Sequence, residues 1–388
     1  MTTADRCAEI VRVYDGQGWH RTGTVVDNES ASWLVEAMRA SGVSAELQPF
    51  PFIRVDLDPC RVWSGPWEVA GQPLPDGLLP HPGTMLTGTV AEAPNPESFA
   101  LVRVDQHGQS SILDWLRLEP WKAIIAVVEG TDTGLTVRNA WHYDNPGGPP
   151  IVQVPASSWD HLNQLKADRA TVNIACGGRR TEVEASNVIG RVPGRDPNLP
   201  PIVVLTPRSG WWHCAGERGG GIAAWLEIAR DLRTNGLHRE VVFLATTGHE
   251  LGFLGIGRYL ERDPELARRA LLWIHLGANI GARESPTVVR SAEQSLLDAI
   301  LGLDDSAQDQ AVRPECEVRP QPPGGEAQVV AAAGGRYVSI VGRGFPLFHS
   351  TEDRWPGAIN AEAIANNANL LSKLIQRLDS GDVSSSAR

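Results

Sequence analysis

From residue 201 onward the chain alternates short apolar runs with amphipathic stretches, and this alternation limits the possible folds more than any other feature. PIVVLT, EVVFLAT, LLWIHL and YVSIVG read as strands. GIAAWLEIARDL places Ile222, Trp225, Leu226 and Ala229 on one side of a helix, and LGFLGIGRYLERD, SLLDAILGL and AEAIANNANLLSKLIQRL read as further helices. Apolar strands separated by amphipathic helices predict an α/β fold with a mostly parallel or mixed sheet, covered by helices on both faces.

The texture upstream differs. Residues 28–50 begin with an Asn/Ser cap signal, carry Trp33, Leu34, Ala37 and Met38 at helical spacing, and pass through Gly42 into a short strand. From about 60 to 180, Pro/Gly-rich turns separate short β-like runs (FALVRVD, AIIAVVEG, IVQVPASSW, ATVNIAC). At 388 residues the chain exceeds what one core usually holds, about 250–300 residues. The expected organisation is residues 1–58 as the first part of the α/β domain, 59–182 as an inserted β-rich domain, and 183–388 as the rest of the α/β domain.

Forty-six acidic against thirty-five basic residues give a net charge of -11, with no Lys/Arg block to follow a phosphate backbone or an anionic membrane. Neither nucleic acid nor a membrane is an expected partner. The chain does not open on a basic stretch followed by an apolar one, and no segment approaches 18 consecutive apolar residues. Five cysteines without a CxxC pair suit reduced thiols, so a cytoplasmic setting is expected.

In open α/β sheets ligands gather at the carboxyl ends of the strands. The segments there are PRSGWWHCAGERGGG, TGHELG, GANIG and RGFPLFHSTED, which hold His213, Cys214, Glu217, His249, Glu250 and His349, while His275 lies near the end of its own strand. Any one of these could be a helix cap or a surface group. Carboxylates and imidazoles converging from separate loops form a donor set that suits Zn²⁺ with an open position. Trp211 and Trp212 share the first loop and are candidates to line a substrate pocket. HELGF lacks the second His of HExxH, and no GxSxG elbow occurs.

The order of these segments resembles the zinc aminopeptidase family that includes bacterial leucyl aminopeptidases, glutamate carboxypeptidase-like proteins and glutaminyl cyclases. ESASWLVEAMRASGVSAELQPF is similar to that family's opening helix and strand, and residues 60–180 to the protease-associated domain that many members carry. GERGGGIAAWLEIARDL resembles a ligand loop and its helix, VVFLATTGHELGFLGIGRYL a strand with paired acidic residues, and FHSTED the last His-containing loop. Where the family has a His and an Asp after the first strand, this chain has Pro207 and Ser209; Gly277 stands where a later Asp is expected, and His249 where the general-base Glu is expected. The resemblance implies that Glu217, Glu250 and His349 remain as ligands for at most one zinc ion.

Three readings follow. In the first, an amide- or peptide-directed hydrolase or acyl-transferring enzyme holds one Zn²⁺ on Glu217, Glu250 and His349, and His249 moves the proton, with His213 and His275 as alternative shuttles. In the second, the chain is an inactive pseudo-enzyme that serves in binding or assembly. In the third, Cys214 is a metal-free nucleophile. The expected partner is a small-molecule amide or a peptide; the sequence carries no signal of oligomeric state.

Overall fold

The computed structural model describes residues 1–107, 111–131, 134–303, 314–319 and 324–381. Among these described residues there are fifteen strands: β1 (Ser44–Leu57), β2 (Cys60–Ser64), β3 (Trp67–Leu74), β4 (Met85–Val90), β5 (Ser98–Val104), β6 (Ala123–Val128), β7 (Ile151–Pro155), β8 (Thr171–Ala175), β9 (Gly178–Val192), β10 (Ile202–Pro207), β11 (Val241–Thr246), β12 (Leu272–Leu276), β13 (Thr287–Ser291), β14 (Glu315–Val318) and β15 (Tyr337–Gly342). Eight of them form one sheet in the order β1-β9-β11-β10-β12-β15-β13-β14, and the other seven close into a small barrel.

The centre of the sheet, β11-β10-β12-β15, is parallel; β1–β9, β9–β11 and β13–β15 are antiparallel pairs, and β13–β14 is parallel. The sheet is therefore mixed. Central strands are mostly apolar because both faces are covered. Period-two alternation assigns Ile202, Val204 and Phe243 to one core with Ile222, Trp225 and Leu371, and Val203, Leu205, Val242 and Trp273 to the other with Ile256, Leu260 and Val330. Trp225 and Trp273, both fully buried, anchor these two layers; truncating either to Ala is expected to cost about 3–5 kcal/mol.

The opening helix has no counterpart in the periodicity reading: Thr3–Gly16 is helical, with a capping box between Thr2 and Asp5. The next helix runs Val25–Ala40, three residues earlier than the Asn/Ser signal suggests, because the Thr24 side chain accepts from the Asp27 N–H and takes the cap. Strand β1 pairs with β9 over its whole length, from Ser44↔Arg191 to Leu57↔Gly178. Between those two strands the chain forms the barrel β2-β3-β7-β6-β5-β4-β8, which has its own core of Phe99, Ile125, Val127, Val152 and Ile174.

After β6 the chain leaves the barrel and reaches the sheet domain, where the Val137 N–H donates to the His349 carbonyl at 3.2 Å and the Ala140 N–H to the Glu250 carbonyl at 2.8 Å. Residues of the barrel unit thus wall one side of the strand ends. Among the described residues no helix is long and apolar enough to cross a membrane.

Candidate functional site

The strand ends open into a cavity of about 630 Å³ lined by His249, His275, His349, His107, Trp141 and Phe253 among others, a volume typical of small-molecule sites. Its floor is set by register. His275 on β12 pairs with Ser339 on β15, so both side chains face the helix Glu326–Ala332. Ser339 Oγ lies 2.9 Å from His275 Nδ1, and His275 Nε2 lies 3.2 Å from Glu326 Oε2. The other Glu326 oxygen is 2.9 Å from His249 Nδ1.

Proton positions follow from this chain of contacts. Burial alone would raise the Glu326 pKa, but His249 and His275 hold it well below the usual carboxylate range, so the carboxylate is ionised and only accepts. His275 then donates from Nε2 and accepts the Ser339 hydroxyl at Nδ1. His249 donates from Nδ1, which leaves Nε2 with the lone pair. Burial, followed by the nearby Arg218 charge, pushes the His249 pKa below its ordinary value, so the ring is neutral at pH 7 and can take a proton.

Glu326 is the functional residue that sequence reasoning missed. It opens a helix of seven residues after Gly324 and Gly325, in a stretch whose Pro and Gly content signals only a loop. The available signal was an acidic residue at the head of the apolar run AQVVAAA. Gly325 permits the arrangement: its φ is +82°, and a Cβ there would sit 2.9 Å from His275 Cε1.

Glu217 lies on a wide helical turn, Ala215–Gly219, that runs directly into the helix Gly220–Leu232. Asp353 fixes this turn by accepting from the Gly216 and Glu217 N–H groups at 2.6 and 2.9 Å. The Glu217 carboxylate faces Arg218, whose Nη2 is 2.7 Å from Oε1, with both side chains buried. His349 Nε2 is 3.4 Å from the same oxygen. Burial opposes ionisation of Glu217, yet Arg218 and then His349 hold its pKa below the usual range.

Glu250, the adjoining acid, turns elsewhere. Its Oε1 accepts from Thr22 N–H at 3.0 Å and Thr22 Oγ at 2.6 Å, and its Oε2 from Ser209 Oγ at 2.7 Å. Ser209 in turn accepts from the Gly248 N–H at 2.7 Å. The expected zinc set is therefore not assembled: among the described residues no three His, Cys, Asp or Glu side chains gather to hold an ion. As arranged, these donors do not fit a zinc ion, because the charge that Glu217 needs is supplied by Arg218 and both oxygens of Glu250 are engaged by hydroxyl and amide donors. Gly277 has a steric reason as well: a Cβ there would meet Val341 Cγ1 at 2.7 Å and His275 Cε1 at 3.1 Å, so an Asp would collide.

The remaining candidates fall outside the cavity. His213 does not line this cavity, and its Nδ1 is tied to the Asp15 carbonyl at 2.8 Å. Cys214 is buried with φ +55° and does not line this cavity, and burial followed by Glu217 raises its pKa well above the ordinary value, which favours the thiol over the thiolate. Trp211 packs inside and donates from Nε1 to Asn139 Oδ1 at 3.1 Å, so it positions a cavity residue without lining the cavity. Trp212 borders a different cavity, of about 720 Å³, beside Trp19.

No sequence family and no curated protein sequence matches this chain. Solved structures do. A peptidase M28 precursor from Shewanella amazonensis superposes with a TM-score of 0.80 at 16% identity, covering 100% of this chain and 96% of that one. BSAP, a zinc aminopeptidase from Bacillus subtilis, gives 0.78 at 16% identity over 99% and 96% of the two chains. A glutaminyl cyclase from Fimbriiglobus ruber gives 0.53 at 11% identity over 96% and 94%. The chain has the fold of the zinc aminopeptidases.

Proposed function

We propose that this cavity carries out hydrolysis or acyl transfer at an amide bond without a metal ion, with His249 as the general base. The observation that supports it most is the His249–Glu326 pair: an ionised, buried carboxylate holds one imidazole nitrogen and leaves the other facing the cavity. His249 Nε2 takes a proton from water, or from an acceptor hydroxyl or amine, as that atom adds to the carbonyl carbon. The same proton then passes to the leaving nitrogen as the C–N bond breaks. Glu326 stabilises the imidazolium in between. His349, whose ring nitrogens have no hydrogen-bond partner in the protein, is the group that can donate to the carbonyl oxygen.

The second reading, an inactive binding protein, is favoured by one feature: the Glu217–Arg218 pair occupies the charge position on which the resemblance places a metal. Turnover of a panel of aryl amides, in the presence of a chelator, by the wild type and by His249→Gln separates the two. Chelator-resistant turnover that falls by about 10²–10⁴ in His249→Gln supports catalysis. No turnover by either chain favours the binding reading.

A further inference from the structure

A free peptide N-terminus is an ammonium, and a site that desolvates it needs a carboxylate to pair with it. Among the described residues lining this cavity there is no Asp or Glu, whereas Arg290, Arg343 and four histidines are present. The acids nearby are already engaged. Glu326 lies behind His249 and His275, and Glu217 is paired with Arg218. Glu317 pairs with Arg290 at 3.0 Å and Arg343 at 3.1 Å, and Glu315 with Arg343 at 2.6 Å.

What the cavity does offer is two kinds of unmet hydrogen bond. Both ring nitrogens of His349 and the Oδ1 of Asn279 are buried without a hydrogen bond, His349 Nε2 lying 3.4 Å from Glu217 Oε1, and both residues line the cavity. An imidazole ring carries at least one N–H, so His349 can donate to a carboxylate or carbonyl oxygen. Asn279 Oδ1 requires a donor, which an amide N–H supplies. Trp141, Phe253 and Phe348 add apolar walls of a size that suits an aromatic or large aliphatic side chain.

The geometry points to an N-blocked, carboxylate-bearing amide as the ligand class: an N-acyl amino acid or a short peptide without a free α-ammonium. This rests on the amide-directed reading above and names the substrate class of the same site. The amide N–H meets Asn279, the carbonyl or carboxylate meets His349 with Arg290 and Arg343 at the rim, and the side chain lies against the aromatic wall.

Calorimetric titration of the full chain with three probes tests it: N-acetyl-L-phenylalanine, N-acetyl-L-phenylalanine amide and L-phenylalanine amide. The expected result is that N-acetyl-L-phenylalanine binds at least about tenfold more tightly than L-phenylalanine amide. His349→Leu removes most of that preference, and Arg290→Met reduces it if the first variant fails to fold. Equal or tighter binding of L-phenylalanine amide, or no saturable binding of either acetylated probe, overturns the inference. Binding needs no turnover, so the two readings fail separately. A chain that prefers the acetylated acid but cleaves no amide refutes catalysis alone, and one that cleaves amides but prefers the ammonium probe refutes the substrate class alone.

Discussion

Arg218 Nη2 lies 2.7 Å from Glu217 Oε1 with neither side chain reaching solvent. A buried pair of this kind need not add net stability, but breaking it leaves an uncompensated charge in the interior. Arg218→Met is therefore expected to destabilise the chain by about 3–5 kcal/mol, and Glu217→Gln/Arg218→Met by clearly less than the sum of the single changes. Denaturant unfolding of the four chains of this cycle checks it. Additive single effects would mean that the two side chains do not depend on each other.

The same pair makes a prediction about metal. If the guanidinium takes the place of a cation, the wild type binds Zn²⁺ weakly, and Arg218→Ala frees the Glu217 and His349 side chains, which lie 3.4 Å apart, to bind it more tightly. Competition with a chromophoric chelator reads this out. Stoichiometric tight zinc in the wild type, lost in Glu217→Gln, would show that the arrangement of donors changes when metal is present.

Gly325→Ala is expected to weaken the site without removing any titratable group. The new methyl would press on His275 Cε1 from a backbone with φ +82°, and left-handed backbone is costly for residues with a Cβ. Displacing the helix that begins at Glu326 lengthens the His249 contact. We expect a loss of about 1–3 kcal/mol in stability together with reduced turnover, measured on the same preparation.

Much of this was legible in the sequence, and the parts that were not share a physical cause. Strand and helix alternation predicted the covered sheet, and the strand-end rule placed His249, His275 and His349 at the cavity. Residue type alone could not show that Glu250 spends both oxygens on Thr22 and Ser209, because Thr22 lies 228 positions away in the chain. Nor could it show that Arg218, adjacent to a candidate ligand, turns its charge onto that ligand. Glu326 was hidden for the opposite reason: its helix is too short for a periodic signal, and its role comes from the cross-strand register of His275 and Ser339.

Acid stability should report on a group far from catalysis. His20 is fully buried, stacked on Tyr14 with ring centroids 3.7 Å apart, and burial followed by Arg208 pushes its pKa down to about 3. Its folded-state pKa is depressed, so between the ordinary value of 6.5 and about 3 the unfolded chain binds the extra proton and stability falls as pH falls. The slope from this group approaches about 1.4 kcal/mol per pH unit. In His20→Phe that part of the slope disappears, as unfolding midpoints between pH 4 and pH 7 would reveal; an unchanged slope would contradict the assignment.

The turnover profile tests the pair at the centre of the site. The His249 pKa is depressed, so its base form persists below the ordinary histidine range and the acid limb of kcat/KM should lie below about pH 6.5. Glu326 raises the His249 pKa, so Glu326→Gln moves that limb to still lower pH while lowering the plateau. A limb that moves upward would assign it to another group.

The most direct test is turnover of an N-blocked aryl amide by metal-stripped protein, comparing the wild type with His249→Gln in a chelating buffer. The account predicts that the stripped wild type retains its rate and that His249→Gln loses about 10²–10⁴ of it. A rate that vanishes on chelation and returns with Zn²⁺, or one that is the same in both chains, would contradict it.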